Sequence, residues 1–300
     1  MAQHERTLSE IVTTPSPPPD WLVPDLLHRG QMVVLAGEAG IGKSTLSYAL
    51  AVAKATGRPF LGRPIEPGRV LYFDEENSEP DFEEYLRWVW RGLGEPTTRP
   101  RPTLLDEHLK MERFQLAAAA PRHFEYMADI AKKWKPELII IDTATPACCI
   151  RDENDNGEAS MAISRLRGIQ RATGPRTTFL ILKHAKLDHA DGQRRVRGAK
   201  TWVGSTDATL FHTAVVGGPR KDGLRTSRLE PDKVRAFGLR GYLRIVPRWV
   251  GNGDQRGLVL NAELEPLTPL RAKQLAKVQK CLSDTQGEPA AQVLDSIEAA

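Results

Sequence analysis

Residues 37–44 read Gly-Glu-Ala-Gly-Ile-Gly-Lys-Ser, a complete G-x-x-x-x-G-K-[ST] spacing. Glycines so placed let the chain turn tightly enough for successive backbone N–H groups to converge on one anion. A helix opening at the same point adds its own unpaired N–H groups. Lys43 then supplies a cation for β- and γ-phosphates, and Ser44 a hydroxyl for Mg2+. Gly37, Glu38, Ala39, Gly40, Ile41, Gly42, Lys43, Ser44 and Thr45 form the candidate nucleotide-binding set. Two acidic positions extend it. The apolar run 138–141 ends in Asp142, and a carboxylate at the end of a buried strand can hold the water shell of Mg2+. The run 70–73 ends in Asp74-Glu75-Glu76, three adjacent carboxylates whose mutual repulsion is hard to explain by stability. One of them could orient and deprotonate a water attacking the γ-phosphate.

These groups need a rigid frame, and the surrounding pattern predicts one. Apolar runs at 32–36, 70–73, 138–141 and 179–182 alternate with helical stretches near 43–54, 85–89, 121–134 and 158–172. Continuous apolar runs between helices are what a parallel sheet covered on both faces requires. The phosphate loop leaves the first run and opens the first helix, the context its spacing demands. Beyond residue 208 four strand-like segments (208–216, 224–235, 242–246 and 257–261) are separated by glycine-rich turns and are expected as antiparallel additions to the sheet. The expected organisation is a proline-rich N-terminal arm over 1–30, an α/β domain over 31–262 and a helical segment over 263–300.

Composition narrows the classes. The 300 residues are 40 % hydrophobic and 27 % charged, which excludes a disordered or collagen-like chain. No apolar run approaches the ~18–20 residues of a bilayer span. Only three cysteines occur, so a disulfide framework is not expected and a reducing cytoplasm is. The net charge of +4 decides nothing, but its distribution does. Residues 186–200 carry five basic and two acidic side chains, a local +3, and residues 220–244 carry eight and three, a local +5. Such gathering of positive charge suits an anionic partner. A calcium loop at 152–163 fails because its twelfth position is Ile163. Neither zinc spacing nor a serine-hydrolase elbow is present.

The ordered set resembles the RecA-like ATPases and, more closely, the plasmid RepA-type hexameric helicases and their AAA-25 relatives, over roughly residues 15–262. Trp21-Leu22-Val23, the phosphate loop, Val70-Leu71-Tyr72-Phe73-Asp74-Glu75-Glu76, Ile140-Ile141-Asp142-Thr143, Lys183-His184-Ala185-Lys186 and Arg197-Gly198-Ala199-Lys200 carry the likeness. The resemblance implies that Glu76 activates water, with Glu75 its rival, and that His184 senses the γ-phosphate. It leaves Lys183, where the family often has a second histidine, without a role. Lys233 and Arg235, two apart in a strand-like run, could face one phosphate together. The resemblance makes them fingers that enter a neighbour's site. It also places residues 144–157 and 185–201 along a central pore, with Lys186, Arg194, Arg195, Arg197 and Lys200 against single-stranded DNA.

The expected protein is therefore a RecA-like α/β ATPase using ATP and Mg2+ in a homo-oligomeric ring, a hexamer by likeness. It would translocate on or unwind DNA in plasmid, phage or mobile-element replication. A DNA-bound ATP switch that does not unwind, a small-molecule phosphotransferase and an assembly factor acting on a protein remain as alternatives.

Overall fold

The computed structural model describes residues 7–8, 13–15, 18–94, 103–112, 122–187, 194–198, 200–215, 220–234 and 241–265. A small antiparallel hairpin comes first, β1 (Trp21–Val23) against β2 (Leu27–His28). The remaining strands are β3 (Met32–Gly37), β4 (Val70–Asp74), β5 (Leu109–Glu112), β6 (Leu138–Asp142), β7 (Thr178–Leu187), β8 (Arg194–Val196), β9 (Ala208–Ala214), β10 (Ser227–Val234), β11 (Tyr242–Val250) and β12 (Gly257–Glu265). They form one sheet in the order β12-β11-β10-β9-β3-β7-β6-β4-β5, with β8 paired to β7. From β9 to β5 the strands run parallel, and β10, β11 and β12 are added antiparallel. The fold is α/β, as the sequence pattern requires.

Helices cover both faces, and the period of two in a strand decides what each face meets. Val33, Leu35, Val70, Tyr72, Leu138, Ile140, Leu180 and Leu182 point to the face carrying α1 (Lys43–Thr56) and α2 (Glu79–Gly92). Their alternates Met32, Val34, Leu71, Phe73, Ile139, Ile141, Phe179 and Ile181 meet the other face. The short α3 (Thr103–His108) leads into β5; α4 (His123–Trp134), α5 (Ala144–Ala147) and α6 (Asn156–Thr173) follow. Met127, Ala131, Ala162 and Leu166 of α4 and α6 fill that second face. Burial on both faces explains why the strands read as unbroken apolar runs. The last helix, α7 (Thr201–Ser205), precedes β9.

Three expectations change. The run from residue 208 is not an antiparallel addition: β9 lies parallel to β3 and beside it, with Gly37 level with His212. A strand's residues state that it is buried but not which neighbour it takes. The stretch before residue 121 contributes β5, whose alternating Leu-Lys-Met-Glu is too short and half-exposed to stand out. The apolar cluster 21–27 that ends the proline-rich arm docks on the core, as its composition suggests, with Leu22, Val23, Leu26 and Leu27 of the hairpin buried against the α1 face. Arg29 secures it by ion pairs to Glu66 at 2.7 Å and Glu137 at 2.5 Å. Finally, β12 continues to Glu265, so residues 263–265 are strand; the rest of the expected helical segment lies outside the described residues. No helix among the described residues is long and apolar enough to cross a membrane.

Candidate functional site: a phosphate loop ringed by buried charge

The phosphate loop spans the gap between the end of β3 at Gly37 and the start of α1 at Lys43. Gly42, at φ 94°, closes it in the left-handed region that favours glycine. At Gly37 the constraint is space: a Cβ there would stand 2.5 Å from the His212 carbonyl oxygen. Lys43 folds across the loop, its Nζ donating to the carbonyls of Gly37 at 3.0 Å and Glu38 at 2.9 Å. Burial lowers the pKa of this ammonium, while Glu76 and Asp142 pull it back up.

Strand periodicity brings the acids to the same place. Asp74 and Asp142 sit side by side at the ends of β4 and β6, on the face that carries α1. Asp142 is fully buried. Its Oδ2 accepts from the Tyr72 hydroxyl at 2.9 Å, and its Oδ1 has no hydrogen-bond partner. Burial pushes its pKa up to about 7, with Asp74 and Glu76 adding to the rise; the Ser44 and Tyr72 hydroxyls oppose it. An orphaned, buried carboxylate oxygen facing the loop serine fits a hard cation better than it fits an empty core.

The three adjacent carboxylates separate into three environments. Asp74 is structural: it accepts from the Tyr48 hydroxyl, the backbone N–H of Asn77 at 3.0 Å and that of Glu76 at 3.2 Å. That corrects the expectation that stability could not account for an acid there. Glu75 donates its backbone N–H to the Asp142 carbonyl at 2.6 Å, and its carboxylate acts on Cys149, whose thiol pKa burial and this charge both raise. Glu76 turns to the loop instead. Its Oε1 stands 3.6 Å from His184 Nε2, and its charge is felt by Lys43 and Asp142. The sequence left Glu75 and Glu76 open, and backbone direction separates them.

β7 parts its two polar residues in the same way. His184, level with Gly37, faces the loop; burial and then the Lys43 charge lower its pKa, against an opposing pull from Glu76. Lys183 points to the opposite face. There it is 2 % exposed, donates to Thr145 Oγ1 at 3.2 Å and lies 5.1 Å from the ring centroid of Trp202.

Arg197 is held by an ion pair to Glu153 at 3.0 Å, and Glu153 in turn accepts from Thr145 Oγ1 at 2.7 Å. Thr201 Oγ1 donates to Asn156 Oδ1 at 2.8 Å, so the segments 144–157 and 185–201 are tied to each other. Lys200 is exposed. Lys186 pairs with Arg195, and Arg194 with Leu187, along the β7–β8 ladder; the side chains of Lys186, Arg194 and Arg195 lie outside the described residues. Lys233 on β10 is level with Thr209, which is level with Val34. Its backbone is thus three strand positions, about 10 Å, from the level of the loop. The Lys233 side chain and Arg235 lie outside the described residues.

Sequence reading missed the other flank. His212, 3 % exposed, hydrogen-bonds Ser227 Oγ through Nε2 at 2.7 Å, while its Nδ1 has no partner. Burial and the Lys43 charge push its pKa down to about 3, so it is neutral. Nothing in the residues around it signals a site, because only the β3–β9 pairing brings it to the loop.

Residues 2–190 match the family model described as AAA domain. No curated protein matches the chain.

Proposed function

Because the chain belongs to the AAA domain family of ATPases, we propose that it is a Mg2+-dependent ATPase acting as a ring-shaped homo-oligomer, a hexamer, on single-stranded DNA, as a RepA-like helicase in plasmid, phage or mobile-element replication. The observation that carries the hydrolytic part is the convergence of Lys43, Asp142, Glu76 and His184 on one phosphate loop. Lys43 is the cation for the β- and γ-phosphates. Ser44, and Asp142 through water, would hold Mg2+, which supplies charge neutralisation on the phosphate oxygens. Glu76 accepts the proton of the attacking water. His184, which faces the loop 3.6 Å from Glu76, is assigned to sensing the γ-phosphate.

Lys233 and Arg235 are proposed to serve a neighbouring subunit. The backbone level of Lys233, three strand positions from its own loop, supports that reading. Charge supplied from outside in this way is worth ~10³–10⁵ in rate. DNA contact is assigned to Lys186, Arg194, Arg195, Arg197 and Lys200. The ties between 144–157 and 185–201 support treating these two segments as one unit coupled to His184, since the backbone N–H of Arg197 donates to the His184 carbonyl at 2.8 Å.

ATP turnover with and without single-stranded DNA, beside a native mass in a non-hydrolysable nucleotide, tests this. DNA-stimulated turnover by an oligomer supports the proposal. Turnover by a monomer indifferent to DNA overturns the motor and leaves a phosphotransferase. Stimulation without strand displacement moves the function to an ATP-driven switch.

A further inference from the structure

Tyr48 lies five residues beyond Lys43 on α1, and Tyr72 lies two residues before Asp74 on β4. Both tyrosines are fully buried, and their rings stack with centroids 4.9 Å apart at 16°. The Tyr48 hydroxyl donates to Asp74 Oδ2 and accepts from Asn77 Nδ2 at 3.1 Å. Asp74 Oδ1 accepts the backbone N–H groups of Glu76 at 3.2 Å and Asn77 at 3.0 Å. The Glu75 N–H donates to the Asp142 carbonyl at 2.6 Å. Each backbone donor of the turn 75–77 thus ends on one of two buried acids.

We infer that Tyr48 and Asp74 are positioning residues for hydrolysis: through them, the helix that opens at the phosphate loop fixes the turn from which Glu76 reaches the γ-phosphate. The inference rests on the reading of Glu76 as the group that activates water, and deepens it. Neither residue touches substrate, and each acts through Glu76.

Three observations carry it. The polar groups exceed what packing needs. A phenylalanine at 48 and an apolar residue at 74 would fill the same core without desolvating a hydroxyl and a carboxylate, and such replacements are often neutral or stabilising. The hydroxyl is moreover a permanent donor, because burial and the Asp74 charge hold the Tyr48 phenol well above its ordinary pKa. The connection also joins the parts that must stay in register. Lys43 and Ser44 begin α1, Tyr48 follows about one turn later on the same helix, and Asp74 precedes the turn that carries Glu76. Catalytic groups need their geometry held closely by such supporting contacts. Finally, the Glu76 side chain is 38 % exposed. Packing around the carboxylate leaves it room, so its direction is set from the backbone.

A double-mutant cycle between Tyr48→Phe and Glu76→Gln tests the inference, read as single-turnover hydrolysis of Mg2+·ATP by the full chain. Tyr48→Phe keeps the ring and removes the hydroxyl. It should slow the chemical step roughly 10- to 100-fold, the scale of a misplacement near 1 Å, and leave ATP affinity unchanged. In the Glu76→Gln background the same change should cost little or nothing, because the carboxylate it positions is gone. Equal losses in both backgrounds overturn the inference, since Tyr48 would then act on the fold or on another group. A wild-type rate for Tyr48→Phe, whatever its melting temperature, overturns it as well. Asp74→Asn supplies a second cycle should the first variant not fold. It keeps an oxygen for the two backbone N–H groups but gives the Tyr48 hydroxyl an amide in place of a carboxylate. A several-fold slowing confined to the chain that retains Glu76 supports the inference. The same slowing with Glu76→Gln, or none in either chain, overturns it. Failure of the underlying reading looks different: Glu76→Gln alone would hydrolyse ATP at the wild-type rate.

Discussion

The two flanks of β3 are built from opposite materials. Toward β6 and β4, within a few ångströms of the loop, the chain buries or half-buries Lys43, Asp142, Asp74, Glu76 and His184, and leaves Asp142 Oδ1 without a donor. Toward β11 and β12 it places Trp88, Trp249, Ile245 and Leu258 around a neutral histidine. Unpaired charge in a core is costly and persists where a partner of opposite charge is to arrive. An apolar wall costs nothing to keep but stabilises no developing charge. The difference teaches that charge is gathered on one flank of the loop and apolar surface on the other, and substitutions on the charged flank should report on turnover.

The largest effect should come from Lys43→Ala. Removing the ammonium leaves the glycine turn intact, so hydrolysis should be abolished and nucleotide binding should weaken. The melting temperature should hold, because the lost cation was already penalised by burial. Wild-type turnover would remove the phosphate-loop assignment.

Arg235→Ala should cut turnover by ~10³–10⁵ while nucleotide binding stays intact. The sharper version mixes it with Lys43→Ala, since a mixed interface has one intact loop and one intact finger. A mixture that stays dead, although mixed oligomers form, returns the pair to a surface role.

Next in size is Glu76→Gln, expected to bind ATP normally and hydrolyse it ~10²–10⁴-fold more slowly. Glu75→Gln, directed at Cys149 and not at the loop, should lose little. The reverse pattern would move the role to Glu75.

Asp142 gives the charged flank a pH signature. Its folded pKa, about 7, lies above the ordinary carboxylate value, so the folded state holds more protons than the unfolded state between about pH 4 and 7. Stability without ligand should therefore fall as pH rises through that window. Mg2+·nucleotide affinity should rise through it, because the cation needs the ionised form. Asp142→Asn should flatten both trends and raise the ligand-free melting temperature at pH 8, by roughly 2–4 °C for each kcal/mol relieved. Scanning calorimetry across pH reads the result, and an unchanged slope would mean the carboxylate is ionised throughout.

The smallest effect belongs to the basic segment that follows β7. Replacing one of Arg194, Arg195, Arg197 or Lys200 should lower the salt slope of single-stranded DNA binding by ~0.7. For Arg197 a smaller change is expected, because Glu153 already engages it. A fourfold alanine variant with wild-type slope would end the assignment.

Legibility in the sequence followed locality. The phosphate loop, its strand and its helix were readable because residues 32–56 contain both the pattern and its context. The place of Asp142 at the end of a buried strand was readable because an apolar run ending in one acid needs no partner to interpret. The choice between Glu75 and Glu76 was not, since adjacent residues leave a turn in different directions that only the packed turn fixes. Asp74 looked chemical and is largely structural, because the Tyr48 hydroxyl it engages lies 26 residues away on α1.

By itself the sequence determined the fold class, the parallel core and the place of the phosphate loop. Hydrophobic period, glycine conformation and helix-opening residues act over a few neighbours, and a strand buried on both faces announces itself. Tertiary structure alone decided that β9 lies parallel beside β3, that His184 faces the loop while Lys183 faces away, and that Trp88 meets Trp249 next to Thr45. These are pairings between residues far apart in the chain. Side-chain type fixes whether a residue is buried, but the partner across the sheet is settled by the packing of all the strands at once.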